Sequence, residues 1–199
     1  MANKVDVLIC GSGSAGLAAA VWLSRYGISF KMLERRSGPL DRGQADGVQT
    51  RTVEIFDSFG IGEELLRESY HVMEIAFWKW NDEKEQIKRS HYAPDKEDWI
   101  SHRPHVILNQ ARLNGLLLSQ LPKPDVVQYD TKVTNVTMDN EALEKGDDHR
   151  VRVQAVHNGE EQMWQARYVL VSSFYRSFLY TLVPQLFGAN PIPGLRWCA

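Results

Sequence analysis

Cysteine is almost missing from this sequence: only Cys10 and Cys198 carry a thiol, so neither a disulfide framework nor a cysteine zinc site can be built. A reducing compartment is the simpler expectation, and the cytoplasm is the location it implies. Net charge is almost missing too. The formal value of -2 gives no electrostatic case for nucleic acid or for an anionic membrane as a partner. The histidines, at positions 71, 91, 102, 105, 149 and 157, show neither H-E-x-x-H nor another compact ligand spacing, and no metal is expected. The opening MANKVDVLIC lacks the basic stretch and longer apolar run of a signal peptide. A clean apolar run of about 18 residues is also lacking. The nearest approach, 168–187, is broken by Ser172, Ser173, Arg176, Ser177 and Pro184, so no membrane span is expected. The acyl-transfer motif G-x-S-x-G does not occur.

What is present is an ordinary globular composition, 43% hydrophobic and 24% charged, in a chain of 199 residues that can bury a sizeable core. Its most informative stretch is VDVLICGSGSAGLAAAVWLSRYGISFKMLE, from Val5 to Glu34. Val5, Val7, Leu8 and Ile9 predict a strand, 17–26 a helix stopped by Gly27, and 30–33 a second strand. Between strand and helix, Gly11, Gly13 and Gly16 complete G-x-G-x-x-G. The first glycine permits a tight exit from the strand, the second lets backbone approach a pyrophosphate, and the third lets the helix pack closely on the sheet. Ser12, Ser14 and Ala15 complete the loop, whose backbone and hydroxyl groups are expected to contact phosphate at the positive end of the helix. Glu34 follows 18 residues after Gly16, at the end of the second strand, where a carboxylate accepts hydrogen bonds from ribose hydroxyls. Its charge disfavours a 2′-phosphate, although Arg35 and Arg36 temper that exclusion, so the ligand is expected to be FAD or NAD rather than NADP.

After Glu34 the chain enters a long Gly-, Arg- and Asp-rich loop, a length often associated with function. Helices are predicted around Val53, Ile55, Phe56 and Phe59, and over 62–68. The period then changes to two. Segments 73–80 and 85–91 predict antiparallel strands joined across Asn81 and Asp82, and 104–108 a further strand. A helix is predicted over 109–120, stopped by Pro122 and Pro124, and strands over 126–129, 132–138, 150–157 and 162–171. No repeat or linker separates these elements, so residues 1–171 are expected to form a single, partial nucleotide-binding domain.

The segment GQADGVQTRTVEIFDSFG, from Gly43 to Gly60, resembles the corresponding region of flavin-dependent aromatic hydroxylases, especially the phenol 2-monooxygenase family. The resemblance implies an α/β, Rossmann-like FAD/NAD(P)-binding domain of the aromatic hydroxylase type, with an added antiparallel β element. It also implies that Gln44, Ala45 and Gly47 lie near FAD and that Asp46 is the candidate catalytic acid, orienting a phenolic hydroxyl or helping to move its proton. By the same resemblance Gln110 and Arg112, in LNQARLNGLLL, supply donors for ribose or phosphate oxygens, and the Val133 backbone meets the adenine. A complete relative would use NADPH and oxygen to place one oxygen atom on a phenolic substrate.

The likeness extends from about Val5 to Val171 and then stops. Relatives continue with a G-x-D-G segment, whereas no Asp occurs here after Asp148. The expectation is a domain incomplete at its C-terminus and incompetent for turnover, with 172–199 an atypical, non-native or disordered tail from a retained intron, a frameshift or a gene-model error. A natural truncated paralogue is the alternative to that origin. The competing functions are a non-catalytic nucleotide-binding or interaction module and an NAD-dependent dehydrogenase fragment. Neither the aromatic substrate nor the oligomeric state is legible.

Overall fold

The structure is a computed structural model that describes residues 3–43, 45–82, 84–95, 101–139 and 146–172. Gln44 and nearly all of the expected tail, from Ser173 on, lie outside the described residues. The chain divides into two compact units, residues 1–39 with 121–199 and residues 40–120.

In the first unit β1 (Asn3–Cys10) leads into α1 (Ser14–Arg25) and β2 (Phe30–Leu33). The chain re-enters this unit through a 3-10 turn, Pro124–Val126, and β8 (Val127–Gln128). It then forms a meander of β9 (Thr131–Met138), β10 (Val151–His157) and β11 (Glu160–Val171). The sheet order is β8-β2-β1-β11-β10-β9. β8, β2, β1 and β11 are mutually parallel, and the β11–β10–β9 side is antiparallel.

The two halves of this sheet have different sequence patterns for a physical reason. β1 lies inside the parallel part, and its Leu8, Ile9 and Cys10 are buried in succession, as a strand covered on both faces requires. β10 has one buried face, so Val151, Val153 and Ala155 are buried in alternation with exposed Arg152 and Gln154. Leu8, Cys10 and Leu33 meet Val133, Val136, Val153, Trp164 and Ala166 in one apolar cluster. On α1 the buried Gly16, Leu17, Ala20 and Val21 form the stripe that a 3.6-residue period predicts.

The second unit contains β3 (Gly47–Val48), α2 (Thr50–Ser58), α3 (Gly62–Glu68), β4 (Tyr70–Val72), β5 (Glu74–Asn81), β6 (Gln86–Pro94), β7 (His105–Ile107) and α4 (Gln110–Leu118). β3, β7 and β4 make one antiparallel sheet, and β5 with β6 makes a separate two-stranded ribbon. The ribbon exposes Phe77, Trp78, Trp80 and Ile87.

Several elements differ from those expected. α1 starts at Ser14 instead of 17, because the Gly13 carbonyl already accepts the Leu17 N–H at 2.9 Å. The ribbon does not turn across Asn81 and Asp82: Asn81 pairs with Gln86 as part of β5. Its side-chain oxygen accepts the Lys84 N–H at 3.2 Å and so builds a longer connection, in which Glu85 takes a φ of 47°. β3 and β4 were not anticipated, since two or three residues carry no periodicity. Among the described residues no helix is long and apolar enough to cross a membrane.

Candidate functional site

In the first unit the functional candidates gather where the parallel strands end, the position at which open α/β sheets bind ligands. Gly11 follows β1 with a φ of 103°, a left-handed value that glycine adopts without strain. Gly16 is the point of closest packing: a Cβ there would stand 2.5 Å from the Gly11 carbonyl oxygen and 3.0 Å from the Ser172 hydroxyl. No side chain caps α1 at Gly13, and its first turn carries no acidic residue of its own. Ser12 is buried and Ala15 exposed, with Ser14 between them in exposure.

Glu34 is only 5% exposed and is held by four hydrogen bonds. Its Oε2 accepts the Ser12 N–H at 2.7 Å, the Ser12 hydroxyl at 2.9 Å and the Arg36 guanidinium at 3.0 Å. Its Oε1 accepts the Arg36 N–H at 2.9 Å. Burial pushes the carboxyl up, but the Arg36 guanidinium and the Ser12 and Arg36 donors outweigh it and hold the pKa down at about 2. The ribose-binding candidate is thus tied directly to the glycine loop. Arg36 also reaches the Ser12 hydroxyl at 3.1 Å, while Arg35 is exposed.

Ser172 stands at the end of β11, beside the same loop. Its N–H donates to the Cys10 carbonyl at 2.9 Å, extending the β1–β11 pairing. Among the described residues its hydroxyl is buried without a hydrogen-bond partner. Val133 sends its side chain into the apolar cluster, and its strand pairs at that point with Ala155.

The second unit brings together the other segments chosen from the sequence. Gly43 lies against the start of α4, where a Cβ would come within 2.8 Å of the Gln110 backbone nitrogen and Cβ. Gly47 pairs with Ile107, and the Asp46 carbonyl accepts the Leu108 N–H at 2.9 Å. Ala45, Asp46 and Gly47 are exposed. Arg112 faces carboxylates: its guanidinium bonds Glu64 at 2.8 Å and Glu68 at 2.5 and 2.8 Å, which raises its pKa.

Two pairings in this unit were not legible in the sequence. Arg103 clamps Asp57 with two bonds, at 2.6 and 2.8 Å, and reaches Glu63 at 3.0 Å. His105 places Nδ1 2.8 Å from Asp95, with both side chains largely buried. In the sequence His105 stands only as a histidine without metal-ligand spacing, and neither pairing has a fixed spacing along the chain that announces it.

The arrangement of a glycine loop, an uncapped helix start and an acid at the end of the next strand fits the ADP half of a dinucleotide. The sequence profile of the FAD binding domain family matches residues 4–177. The chain belongs to the FAD binding domain family. Within it, the chain is 51% identical over 176 residues to an FAD-dependent monooxygenase, terD, of Aspergillus terreus (strain NIH 2624 / FGSC A1156), covering 86% of this chain and 29% of that protein. It is 36% identical over 178 residues to 3-hydroxybenzoate 4-monooxygenase of Comamonas testosteroni, covering 84% of this chain and 27% of that protein. The fold matches the crystal structure of p-nitrophenol 4-monooxygenase PnpA from Pseudomonas putida DLL-E4 with a TM-score of 0.75 at 18% identity, covering 91% of this chain and 44% of that one. The chain therefore spans less than a third of the length of these two curated relatives. The family match and the likeness to the solved structure bear out the Rossmann-like FAD-binding fold expected, the dinucleotide site having been read from Val5–Glu34 and FAD from the resemblance at Gly43–Gly60.

Proposed function

We propose that this chain is the FAD-binding part of a cytoplasmic flavoprotein monooxygenase that hydroxylates phenolic or other aromatic substrates with NADPH and oxygen. The observation that carries the reading is the Gly11–Gly16 loop with Glu34 hydrogen-bonded into it, in a chain of the FAD binding domain family. The relatives named above, a 3-hydroxybenzoate and a p-nitrophenol monooxygenase among them, support an aromatic substrate. The same proposal treats 1–171 as a partial domain and 172–199 as an atypical tail.

Each candidate residue has a distinct task. Backbone N–H groups at the start of α1 bind the pyrophosphate, and the first-turn dipole favours its charge. Glu34 orients the ribose while Arg36 and Ser12 keep its carboxylate ionised. Ser14, Ala15 and Arg35 border the same loop, and the Val133 backbone meets the adenine. Gln44, Ala45, Gly47, Gln110 and Arg112 are assigned to the cofactor by family resemblance. Asp46 accepts the proton of the phenolic hydroxyl and so enriches the ring for oxygen transfer. FAD held by these residues would supply the redox chemistry that couples NADPH and oxygen to hydroxylation.

The test is direct. The purified chain, incubated with FAD and desalted, is expected to retain a visible flavin band. A chain that retains none would refute the reading, and NADPH oxidation coupled to phenol hydroxylation would refute the assignment of this chain as a part without turnover.

A further inference from the structure

Glu34 does not have room for both hydroxyls of a ribose, because its carboxylate is nearly full. An ionised carboxylate offers about two lone-pair sites on each oxygen. Oε2 already meets the Ser12 N–H, the Ser12 hydroxyl and the Arg36 guanidinium, and turning the Ser12 hydroxyl away would still leave that oxygen filled. Oε1 meets only the Arg36 N–H and has room for one more donor. A ribose brings two. The second must find its partner elsewhere, close to the first.

Tyr129 stands beside that place. β2 and β8 run parallel, so the chain between β8 and β9 crosses their carboxyl ends, where open α/β sheets bind ligands. Backbone bonds of 2.9 Å strap it there: the Glu34 N–H donates to the Gln128 carbonyl, the Thr131 N–H to the Glu34 carbonyl and the Asp130 N–H to the Arg36 carbonyl. Tyr129 lies between these bonded residues. Asp130 closes the turn with a φ of 50°, a left-handed value that Asp adopts more readily than most residues. The buried Thr131 hydroxyl donates to the Tyr129 carbonyl at 2.8 Å and lies 2.9 Å from His157 Nδ1, which braces the strap further. Tyr129 is itself half-buried. Burial pushes its hydroxyl above the usual pKa, the Arg36 guanidinium pulls it down and the Glu34 carboxylate pushes it up, so the phenol feels both charges of the ribose site. It is neutral at neutral pH, and a neutral phenol both donates and accepts.

We infer that Tyr129 is a further cofactor-binding residue, its phenolic hydroxyl hydrogen-bonding one ribose hydroxyl of the adenosine half while Glu34 Oε1 accepts the other. The inference rests on the FAD-binding reading and deepens it, by dividing the ribose between two residues. No covalent bond is made or broken, and Ser12 and Arg36 keep their places on Glu34. A backbone strapped at both sides of Tyr129 holds the residue in place before the ligand arrives, which lowers the entropic cost of the contact.

The experiment uses the whole chain, titrated calorimetrically with ADP, 2′-deoxy-ADP and 3′-deoxy-ADP as probes of the adenosine half. Tyr129→Phe removes the hydroxyl and keeps the ring. It is expected to bind ADP about tenfold more weakly than the parent chain, the loss of one neutral hydrogen bond. With the analogue that lacks the hydroxyl met by Tyr129, parent and variant should bind alike. With the other analogue the tenfold gap should remain. A variant that merely weakened the fold would not distinguish the two analogues.

Equal binding of ADP by parent and variant would overturn the inference. So would a gap that behaves alike with the two deoxy analogues, or a parent chain that retains FAD without measurable binding of ADP. Failure of the functional reading looks different, since the parent chain would then retain neither. A parent that binds both, beside a Tyr129→Phe variant that binds them equally well, refutes only the role of Tyr129.

Discussion

Replacing Glu34 with Gln tests whether the buried carboxylate is a charge that the fold needs. The glutamine keeps the shape and one acceptor oxygen but removes the negative charge beside the Arg36 guanidinium and two Ser12 donors. The native interactions lower the carboxyl from its ordinary value of 4.5 to about 2. A displacement of that size corresponds to about 3 kcal/mol of stability at neutral pH. The retained amide oxygen offsets part of it, so Glu34→Gln should cost about 2–3 kcal/mol and lower the melting temperature by roughly 5–10 °C. The pH dependence fixes the sign. Because folding lowers this pKa, its contribution is fully present above 4.5 and is lost as the pH falls through about 2. Urea unfolding of both proteins from neutral pH down to that region should give curves that differ at neutral pH and converge in acid. A constant gap across the range, or no gap at neutral pH, would refute the reasoning.

Three further outcomes follow from other contacts. Gly16→Ala gains helix propensity but drives a Cβ to 2.5 Å from the Gly11 oxygen, so a net loss of about 1–2 kcal/mol is expected in urea unfolding. Gly38→Ala, with nothing within 4 Å, is the control and should unfold like the parent. Arg103→Lys replaces the two-pronged clamp on Asp57 with a point charge and should cost about 1 kcal/mol by the same assay, whereas an unchanged midpoint would show the clamp to be idle. Burial pushes the Cys10 thiol up to about 12, so in a Cys198→Ser background a thiol reagent in mildly alkaline buffer should label the chain only after unfolding. Labelling of the native chain would contradict the core position of Cys10.

The parts of the fold that were legible have local causes. Leu8, Ile9 and Cys10 in succession announce a strand buried on both faces, and Val151, Val153 and Ala155 in alternation announce one buried on a single face. Gly11 and Gly16 mark backbone demands that other residues meet only with strain. The short strands at Gly47–Val48 and Tyr70–Val72 were not legible, because each exists only through pairing with His105–Ile107. The ribbon turn was misplaced for a related reason: the Asn81 side chain captures Lys84, and a dipeptide signal does not encode that contact.

The same division holds for the candidate site. By itself the sequence determined the cofactor class, because a glycine loop, a helix start and a terminal acid must follow one another within one βαβ unit to hold a pyrophosphate and a ribose. It placed Glu34 beside the loop without revealing what keeps a buried carboxylate charged. Only the tertiary structure decided that Ser12 and Arg36 do so, that Arg112 is directed to Glu64 and Glu68, and that Asp95 pairs with His105. These are contacts between residues with no fixed spacing along the chain. Backbone requirements are written locally and can be read in order, whereas side-chain partners are chosen by the sheet and helix packing that brings distant segments within 3 Å.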